Sequence, residues 1–203
     1  MLHPSSGSIR IGGFDIHQSA LEAKSITGYI PDRPYIYNKL TGREFLYFIT
    51  DLYAVPKLKA EKRIDQLLEE FTLTEWEDEL VESYSHGMKQ RLATCAALVH
   101  EPKILVVDEP MVGLDPRGAK FLKDSFKRYA KQGMTIFLST HSLNVAEEVS
   151  DRLAIIQRGE ILCAGTLDEI KRQSGNFEGG LEPLFLQLTG EQATTGAING
   201  NLQ

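Results

Sequence analysis

The stretch that decides the fold is Ile104-Leu105-Val106-Val107-Asp108-Glu109-Pro110. Its continuous aliphatic run is typical of a strand that is buried on both faces of a parallel sheet. Residues 135–138 (Thr-Ile-Phe-Leu) predict a second buried strand, and a helix predicted over residues 118–132 separates the two. Because strands and helices alternate, the sequence predicts an α/β fold with a mainly parallel sheet.

The same pattern arguments extend outward from this stretch in both directions. Helices are predicted at residues 41 to about 80 with a break at Pro56, at 87–99 and at 143–149. Short strands are predicted at residues 8–11, 27–30, 153–156 and 160–163. Residues 181–186 could form one or two amphipathic turns. Disorder is expected beyond Glu191, because that segment is rich in Gly, Asn, Gln and Thr.

Length and charge limit the classes of protein that the sequence allows. A chain of 203 residues suits one domain with a core that needs no disulfides. The net charge of −6 argues against non-specific binding to nucleic acid, so no nucleic-acid partner is expected. No apolar run approaches the roughly 18 residues of a membrane span, and the N-terminus lacks a signal-peptide pattern. Any role at a membrane is therefore expected to act through a partner.

The two cysteines, Cys95 and Cys163, lie far apart in apolar stretches of the sequence. They form neither a metal-ligand cluster nor a disulfide framework. We expect two buried, reduced thiols, as in a protein of the cytosol.

The strongest candidates for chemistry are Asp108 and Glu109, at the end of the aliphatic strand. Ligands of parallel α/β sheets bind at the carboxyl ends of the strands, where both acids are expected. Asp108 is suited to hold Mg²⁺, and Glu109 to polarise a water molecule for attack. The alternative is that the two acids only end a strand in a turn before Pro110.

A second candidate is His141, in the run Leu138-Ser139-Thr140-His141 after the second strand. A neutral imidazole offers one donor and one acceptor, so His141 could bind a terminal phosphate. The alternative is a capping segment with an incidental histidine, because Ser and Thr favour helix N-caps.

A third candidate is the polar loop Tyr84-Ser85-His86-Gly87-Met88, which opens a predicted helix. Backbone N–H groups at a helix start form an anion site, and the helix dipole favours phosphate there. Ser85 could donate to a phosphate, or it could only cap the helix.

Taken together, the order and spacing of these candidates resemble the ABC-type ATPases. The run from Val107 to Pro116 (Val-Asp-Glu-Pro-Met-Val-Gly-Leu-Asp-Pro) is similar to the Walker B motif and D-loop of that family. The resemblance extends from about Leu2 to Gly165, and the tail from Leu181 to Glu191 is similar to the end of exporter ATPase subunits. It implies a P-loop NTPase-like sheet with helices on both faces and an inserted helical subdomain, incomplete at the N-terminus. The implied domains are a partial ATPase domain at 1–172, with the helical subdomain at about 33–100, and a tail at 173–203.

The resemblance also implies roles for individual residues. Asp108 would hold Mg²⁺ and Glu109 would be the general base. His141 would contact the γ-phosphate, and Ser85 and Gly87 would contact the γ-phosphate of nucleotide bound to a partner subunit. Asp115 would lie at the dimer seam. Asp32 occupies the Q-loop position, which would face a membrane partner. The implied cofactors are ATP and Mg²⁺. The implied partners are a transmembrane permease and a second ATPase subunit in a head-to-tail dimer, at the cytoplasmic face of the membrane.

Three departures from the family pattern stand out. The signature Leu-Ser-Gly-Gly-Gln is replaced by Tyr84-Ser85-His86-Gly87-Met88, so a side chain stands where glycine allows close approach. Asp32 takes the place of the Q-loop glutamine and adds negative charge near phosphate. The pattern G-x-x-x-x-G-K-[ST], whose amides and lysine hold the phosphates, does not occur in the 203 residues.

The resemblance therefore implies that the sequence begins just after the Walker A helix. We expect a sheet without its P-loop strand, with apolar surface exposed. We also expect that this chain alone neither binds ATP tightly nor hydrolyses it.

Three functions follow from the resemblance. The first is an ATP-hydrolysing subunit that powers a membrane permease, in the direction of export, here without its P-loop. The second is a non-catalytic module that lends Ser85 and Gly87 to a complete ATPase subunit; the presence of Asp108, Glu109 and His141 argues against it. The third is an ABC-type ATPase of DNA repair or translation, which the absence of coiled-coil heptads disfavours.

Overall fold

The computed structural model describes residues 5–175 and 179–190. The chain divides into two compact units, Met1–Ser139 and Thr140–Gln203. The predicted disorder beyond Glu191 lies outside the described residues.

The first unit contains a three-stranded parallel sheet, as predicted. Its elements in chain order are β1 (Arg10–Ile11), β2 (Phe14–Asp15), α1 (Ala20–Ser25), β3 (Thr27–Ile30), α2 (Gly42–Leu52), α3 (Lys57–Glu70), α4 (His86–Leu98), β4 (Ile104–Asp108), α5 (Pro116–Lys131) and β5 (Thr135–Ser139), with 3-10 turns at Thr74–Trp76 and Val81–Ser83. The order of the strands in the sheet is β3-β4-β5. Ile30 pairs with Val107, and Asp108 pairs with Ser139, so the three strands end at one edge.

Three helices, α2 to α4, are inserted between the neighbouring strands β3 and β4. A capping box of Thr41 and Glu44 starts α2, and Pro56 at the N-cap of α3 separates the two helices. These helices share one apolar core with the sheet and α5; Phe71 and Phe121 meet edge to face with ring centroids 5.5 Å apart. The α/β class with a parallel sheet and inserted helices is therefore confirmed.

The two faces of the sheet are not equally covered. Leu105 and Val107 of β4 are buried, but the register row Tyr29–Val106–Phe137 lies on the other face. There Tyr29 is 56% exposed and Phe137 is 65% exposed. The prediction that residues 135–138 form a strand buried on both faces is thus wrong for β5, whereas the prediction of exposed apolar surface on the sheet agrees with these values.

Several short elements differ from the predictions. Gly12 and Gly13 form the turn of the antiparallel hairpin β1-β2, whose second strand was not predicted. The helix α1 was not predicted. The α-helix predicted to reach residue 80 ends at Glu70, and only a 3-10 turn follows it at Thr74–Trp76.

The second unit is built on the antiparallel hairpin β6 (Leu153–Gln157) and β7 (Glu160–Gly165), which agrees with the predicted strands around Arg158 and Gly159. Its helices are α6 (Leu143–Val149), α7 (Leu167–Gln173) and α8 (Leu181–Thr189). The α7 helix, which was not predicted, begins at a capping box of Thr166 and Glu169. The backbone N–H of Leu181, at the start of α8, donates to Glu147 of α6 at 3.0 Å.

The two cysteines differ in how deeply they are buried. Cys95 is buried, and burial raises the pKa of its thiol well above the usual range. Cys163 is only half-buried, so the prediction of a buried thiol is wrong there. Among the described residues, no helix is long and apolar enough to span a bilayer.

Candidate functional site

Asp108 and Ser139 meet at the carboxyl edge of the parallel sheet. They are paired residues at the ends of β4 and β5, and the Ser139 hydroxyl donates to Oδ1 of Asp108. This bond holds the carboxylate at the edge where ligands of parallel sheets bind. Ser139 was not predicted as a site residue, although its place at the end of the neighbouring strand was the available signal.

Glu109 begins a tight turn directly after β4. Its φ of +45° is unusual for a residue other than glycine, and it turns the chain sharply away from the strand. Its backbone N–H donates to the Ser139 carbonyl at 3.0 Å. Its own carbonyl accepts from Val112 N–H at 3.3 Å, which closes the turn. Asp108 and Glu109 thus lie at the carboxyl edge of the sheet, as predicted from their place after β4, and both contact Ser139 there.

Asp115 is the N-cap of α5. Its carboxylate accepts a hydrogen bond from the backbone N–H of Gly118 at 3.0 Å, and Pro116 occupies the first helical position. A Cβ at Gly118 would lie 2.8 Å from Oδ1 of Asp115, so glycine allows this close cap. The segment from Glu109 to Asp115 therefore connects the strand end to a capped helix.

Ser85 is the N-cap of α4. Its hydroxyl accepts from the backbone N–H of Met88 at 3.3 Å, so capping, which was the alternative to phosphate binding, is observed. Gly87 has space around it, because a Cβ placed there would meet only Leu114, at 3.9 Å. The fold of this chain therefore does not require glycine at residue 87.

Tyr84, directly before Ser85, anchors the same loop in the protein core. It is 4% exposed, and its hydroxyl donates to the carbonyl of Trp76 at 2.6 Å. Burial, followed by the charge of Glu77, raises the pKa of Tyr84 to about 12, so the hydroxyl keeps its proton at neutral pH. This role of Tyr84 was not predicted from the sequence.

Asp32 lies two residues beyond the end of β3. Because Ile30 is paired with Val107, this strand ends at the same sheet edge as β4. Asp32 is exposed, and Pro31 precedes it. The structure therefore puts Asp32 beyond the strand end that borders Asp108, in an open loop.

His141 lies in the second unit, one residue before Ser142, the N-cap of α6. The imidazole is exposed. Thr140 Oγ1 accepts from the N–H of Ser142 at 3.0 Å, whereas the Ser142 side chain makes no capping bond. Thr140 thus shapes the chain next to His141.

The described residues contain no cluster of three or more His, Cys, Asp or Glu side chains with the geometry of a metal site. A bound Mg²⁺ usually has only one or two carboxylate ligands and takes the rest from water and phosphate. The Asp108 carboxylate at the sheet edge could supply such an oxygen ligand, so the residues present fit Mg²⁺ that is also bound by phosphate.

The sequence matches the family model described as "ABC transporter" over residues 1–112. It is 34% identical over 193 residues to the ABC-type transporter ATP-binding protein EcsA of Bacillus subtilis, which covers 95% of this chain and 78% of EcsA. It is 35% identical over 170 residues to the linearmycin resistance ATP-binding protein LnrL of the same organism, which covers 84% of this chain and 55% of LnrL.

The fold is similar to a solved ATP-binding subunit of an ABC transporter. The TM-score is 0.85 at 33% identity, and the match covers 93% of this chain and 78% of that one. ABC ATPase domains have a P-loop NTPase fold, which agrees with the predicted fold class. The chain spans about four-fifths of EcsA and of this solved subunit, and about half of LnrL.

Proposed function

Because this chain belongs to the ABC transporter ATP-binding proteins, we propose that it acts as an ATP-hydrolysing subunit that powers a membrane permease, in the direction of export. The name of LnrL, a resistance protein, supports the direction. The proposal rests on one observation above all: Asp108 and Glu109 lie at the carboxyl edge of a parallel sheet, beside the Ser139 hydroxyl.

In this proposal Asp108 would hold Mg²⁺, with the phosphates of ATP as further ligands. When bound, the ion neutralises the charge that develops on the transferring phosphoryl group. The hydrogen bond from Ser139 keeps the Asp108 carboxylate oriented at the sheet edge. Asp32, beyond the end of β3, would offer a second carboxylate at this sheet edge, in place of a glutamine.

Glu109 is proposed to accept the proton from the water that attacks the γ-phosphate. Its backbone is held in the turn, because its N–H donates to the Ser139 carbonyl and its carbonyl accepts from Val112 N–H. His141 is proposed to contact the γ-phosphate through its imidazole. Both assignments follow from the family resemblance, and the position of Glu109 after β4 supports the first.

Ser85 and Gly87 are proposed to contact nucleotide that is bound to a second ATPase subunit. The first turn of α4 has backbone N–H groups that point out of the N-terminal end of the helix, where a phosphate can bind. Gly87 leaves room there for the phosphate to approach. Asp115, at the start of α5, is proposed to lie at the seam of the head-to-tail dimer. The two subunits would then complete each other's sites.

We further propose that residues 1–172 form the ATPase domain, with a helical subdomain at about 33–100, and that residues 173–203 form a C-terminal tail. A permease would bind the ATPase at the cytoplasmic face of the membrane. The ABC transporter family supports this arrangement, since its ATP-binding subunits work with membrane permeases.

The test uses the protein as its source cells make it. An intact mass well above the 22.7 kDa of these residues would identify a longer chain, and a matching mass would direct the search for a Walker A sequence to a partner. Mg-ATP hydrolysis is then measured for the wild type, for Glu109→Gln and for a control, Glu75→Gln, on the exposed surface. We expect Glu109→Gln to lose at least about 100-fold in kcat and the control to match wild type. Hydrolysis that is equal in all three proteins would refute the assignment.

A further inference from the structure

His86 is the residue at which this chain departs from the family signature, and the structure shows what its side chain contacts. It lies at the first position of α4, directly after the cap Ser85. Its imidazole Nε2 is 3.2 Å from the carbonyl oxygen of Val112, which is 26 residues away in the sequence. The signature loop and the turn that follows β4 are therefore joined within one chain.

The chemistry of this contact determines where the imidazole carries its proton. A carbonyl oxygen only accepts hydrogen bonds, so Nε2 must carry the hydrogen. Both the Nε2–H neutral tautomer and the imidazolium meet this requirement.

The turn that receives this bond is closed by long backbone hydrogen bonds. Val112 N–H donates to the Glu109 carbonyl and Leu114 N–H donates to the Met111 carbonyl, each at 3.3 Å, while Glu109 N–H donates to the Ser139 carbonyl of β5 at 3.0 Å. The turn also contains two residues with positive φ, Glu109 at +45° and Gly113 at +75°. A segment of this kind depends on side-chain contacts to hold one conformation.

Packing joins the same two segments a second time. A Cβ at Gly113 would lie 2.9 Å from Nε2 of His86, so the imidazole lies directly against this glycine. Leu114 lies 3.9 Å from the position of a Cβ at Gly87. The first turn of α4 and the turn after β4 thus fit together through His86 on one side and Leu114 on the other.

We propose that His86 is a positioning residue that fixes the turn over residues 109–115 against the start of α4. This inference rests on the proposed function where it concerns catalysis, because the turn begins at Glu109 and ends at Asp115. A glycine at residue 86 could not make this contact. Where the family signature has a flexible glycine, this chain thus has a histidine whose imidazole bonds to the turn that begins at Glu109, the proposed general base.

The first experiment measures hydrogen–deuterium exchange of residues 109–115 in this chain, and it does not depend on ATP. We expect His86→Gly to raise the exchange rate of the Val112 and Leu114 amides about fivefold, because this is the factor that corresponds to the net free energy of one hydrogen bond. His86→Gln, which keeps an N–H donor, is expected to restore most of the protection. The hairpin β6-β7 in the second unit serves as the internal control and should not change. Unchanged exchange at 109–115 in His86→Gly would overturn the proposal.

A second variant keeps the test informative if exchange is difficult to resolve. Gly113→Ala introduces strain from its φ of +75° and a clash with His86. In the His86→Gly background only the strain remains, so the two changes should be less than additive in urea unfolding. Additive effects would contradict direct contact between His86 and Gly113.

The catalytic part is measured on the intact protein with Mg-ATP. His86→Gly is expected to lower kcat several-fold with little change in KM, and His86→Gln to recover it. If the wild-type protein, as its source cells make it and together with any partner that supplies a Walker A sequence, does not hydrolyse ATP, the proposed function fails, while the exchange result still decides whether His86 holds the turn. If exchange rises but kcat is equal to that of the wild type, the positioning role is refuted.

Discussion

Replacing Ser85 by aspartate separates its two roles, helix cap and phosphate ligand. Asp and Ser are about equally good N-caps, so the new carboxylate can accept the Met88 N–H as the hydroxyl does. The negative charge also interacts favourably with the N-terminus of α4, by about 0.3–1 kcal/mol. The free energy of unfolding should therefore stay within about 0.5 kcal/mol of the wild type, or rise slightly.

The same change should abolish function if residue 85 contacts a γ-phosphate. Two unit negative charges about 4 Å apart repel by about 4 kcal/mol at an effective dielectric constant of 20. Since about 1.4 kcal/mol corresponds to a factor of ten, binding of nucleotide at this site should weaken by about 1000-fold. Ser85→Ala is the matched control: it removes the cap, at a cost of about 0.5 kcal/mol because the bond of 3.3 Å is long, but it adds no charge.

Two assays distinguish the roles of Ser85. Urea unfolding of the three proteins measures the cap, and Mg-ATP hydrolysis by the intact protein measures the contact with phosphate. We expect Ser85→Asp to be at least as stable as Ser85→Ala but far less active. If Ser85→Asp hydrolysed ATP within a few-fold of the wild type, no phosphate meets residue 85 and the reasoning fails.

Four further predictions follow from the structure. Gly87→Ala should leave stability unchanged or slightly higher, because its Cβ meets only Leu114 at 3.9 Å, but should lower ATP hydrolysis; equal hydrolysis would argue against phosphate approach at this residue. Asp115→Ala should cost about 1 kcal/mol in urea unfolding and Asp115→Asn almost nothing, since asparagine also caps; equal losses would contradict the cap. Burial lowers the pKa of His100 in the folded protein below its value of about 6.5 in the unfolded chain. The neutral His100 therefore contributes its full stability above about pH 6.5, and this contribution is lost as the pH falls through the pKa of the folded state. His100→Phe, which keeps the stack on Tyr53, should be less stable than the wild type at pH 8, with a gap that narrows by pH 5 in urea unfolding. The purified 203-residue chain should release no phosphate from Mg-ATP, and measurable turnover would contradict that expectation.

The long elements could be predicted from the sequence because each has a strong local pattern. The aliphatic run of β4 and the apolar period of α3 each indicate, within a few consecutive residues, which side chains are buried. The exposure of Phe137 could not be predicted in this way, because an apolar run does not show whether another element covers each face. The hairpin β1-β2 has two residues in each strand, too few for any period to be read.

The candidate site was predictable to the extent that it depends on strand ends. Asp108 and Glu109 follow a recognisable strand, so their place at the sheet edge follows from parallel topology. The contact of His86 with Val112 was not predictable, since it joins a helix start to a turn 26 residues away and depends on the packing of α4. The Ser139 bond to Asp108 needed the strand register, which the sequence alone does not determine.

Capping and phosphate binding are not opposed explanations for Ser85 and Asp115. Each residue begins a helix, and a helix start offers unpaired backbone N–H groups that either a side-chain oxygen or a bound anion can satisfy. A cap leaves the remaining N–H groups directed outward, so the residue that stabilises the helix also orients the groups that would meet a phosphate. Loss of activity in an alanine variant therefore cannot distinguish the two roles, because alanine removes both. Only substitutions that keep the cap and change the charge, Ser85→Asp and Asp115→Asn, test whether these helix starts bind anything beyond their own chain.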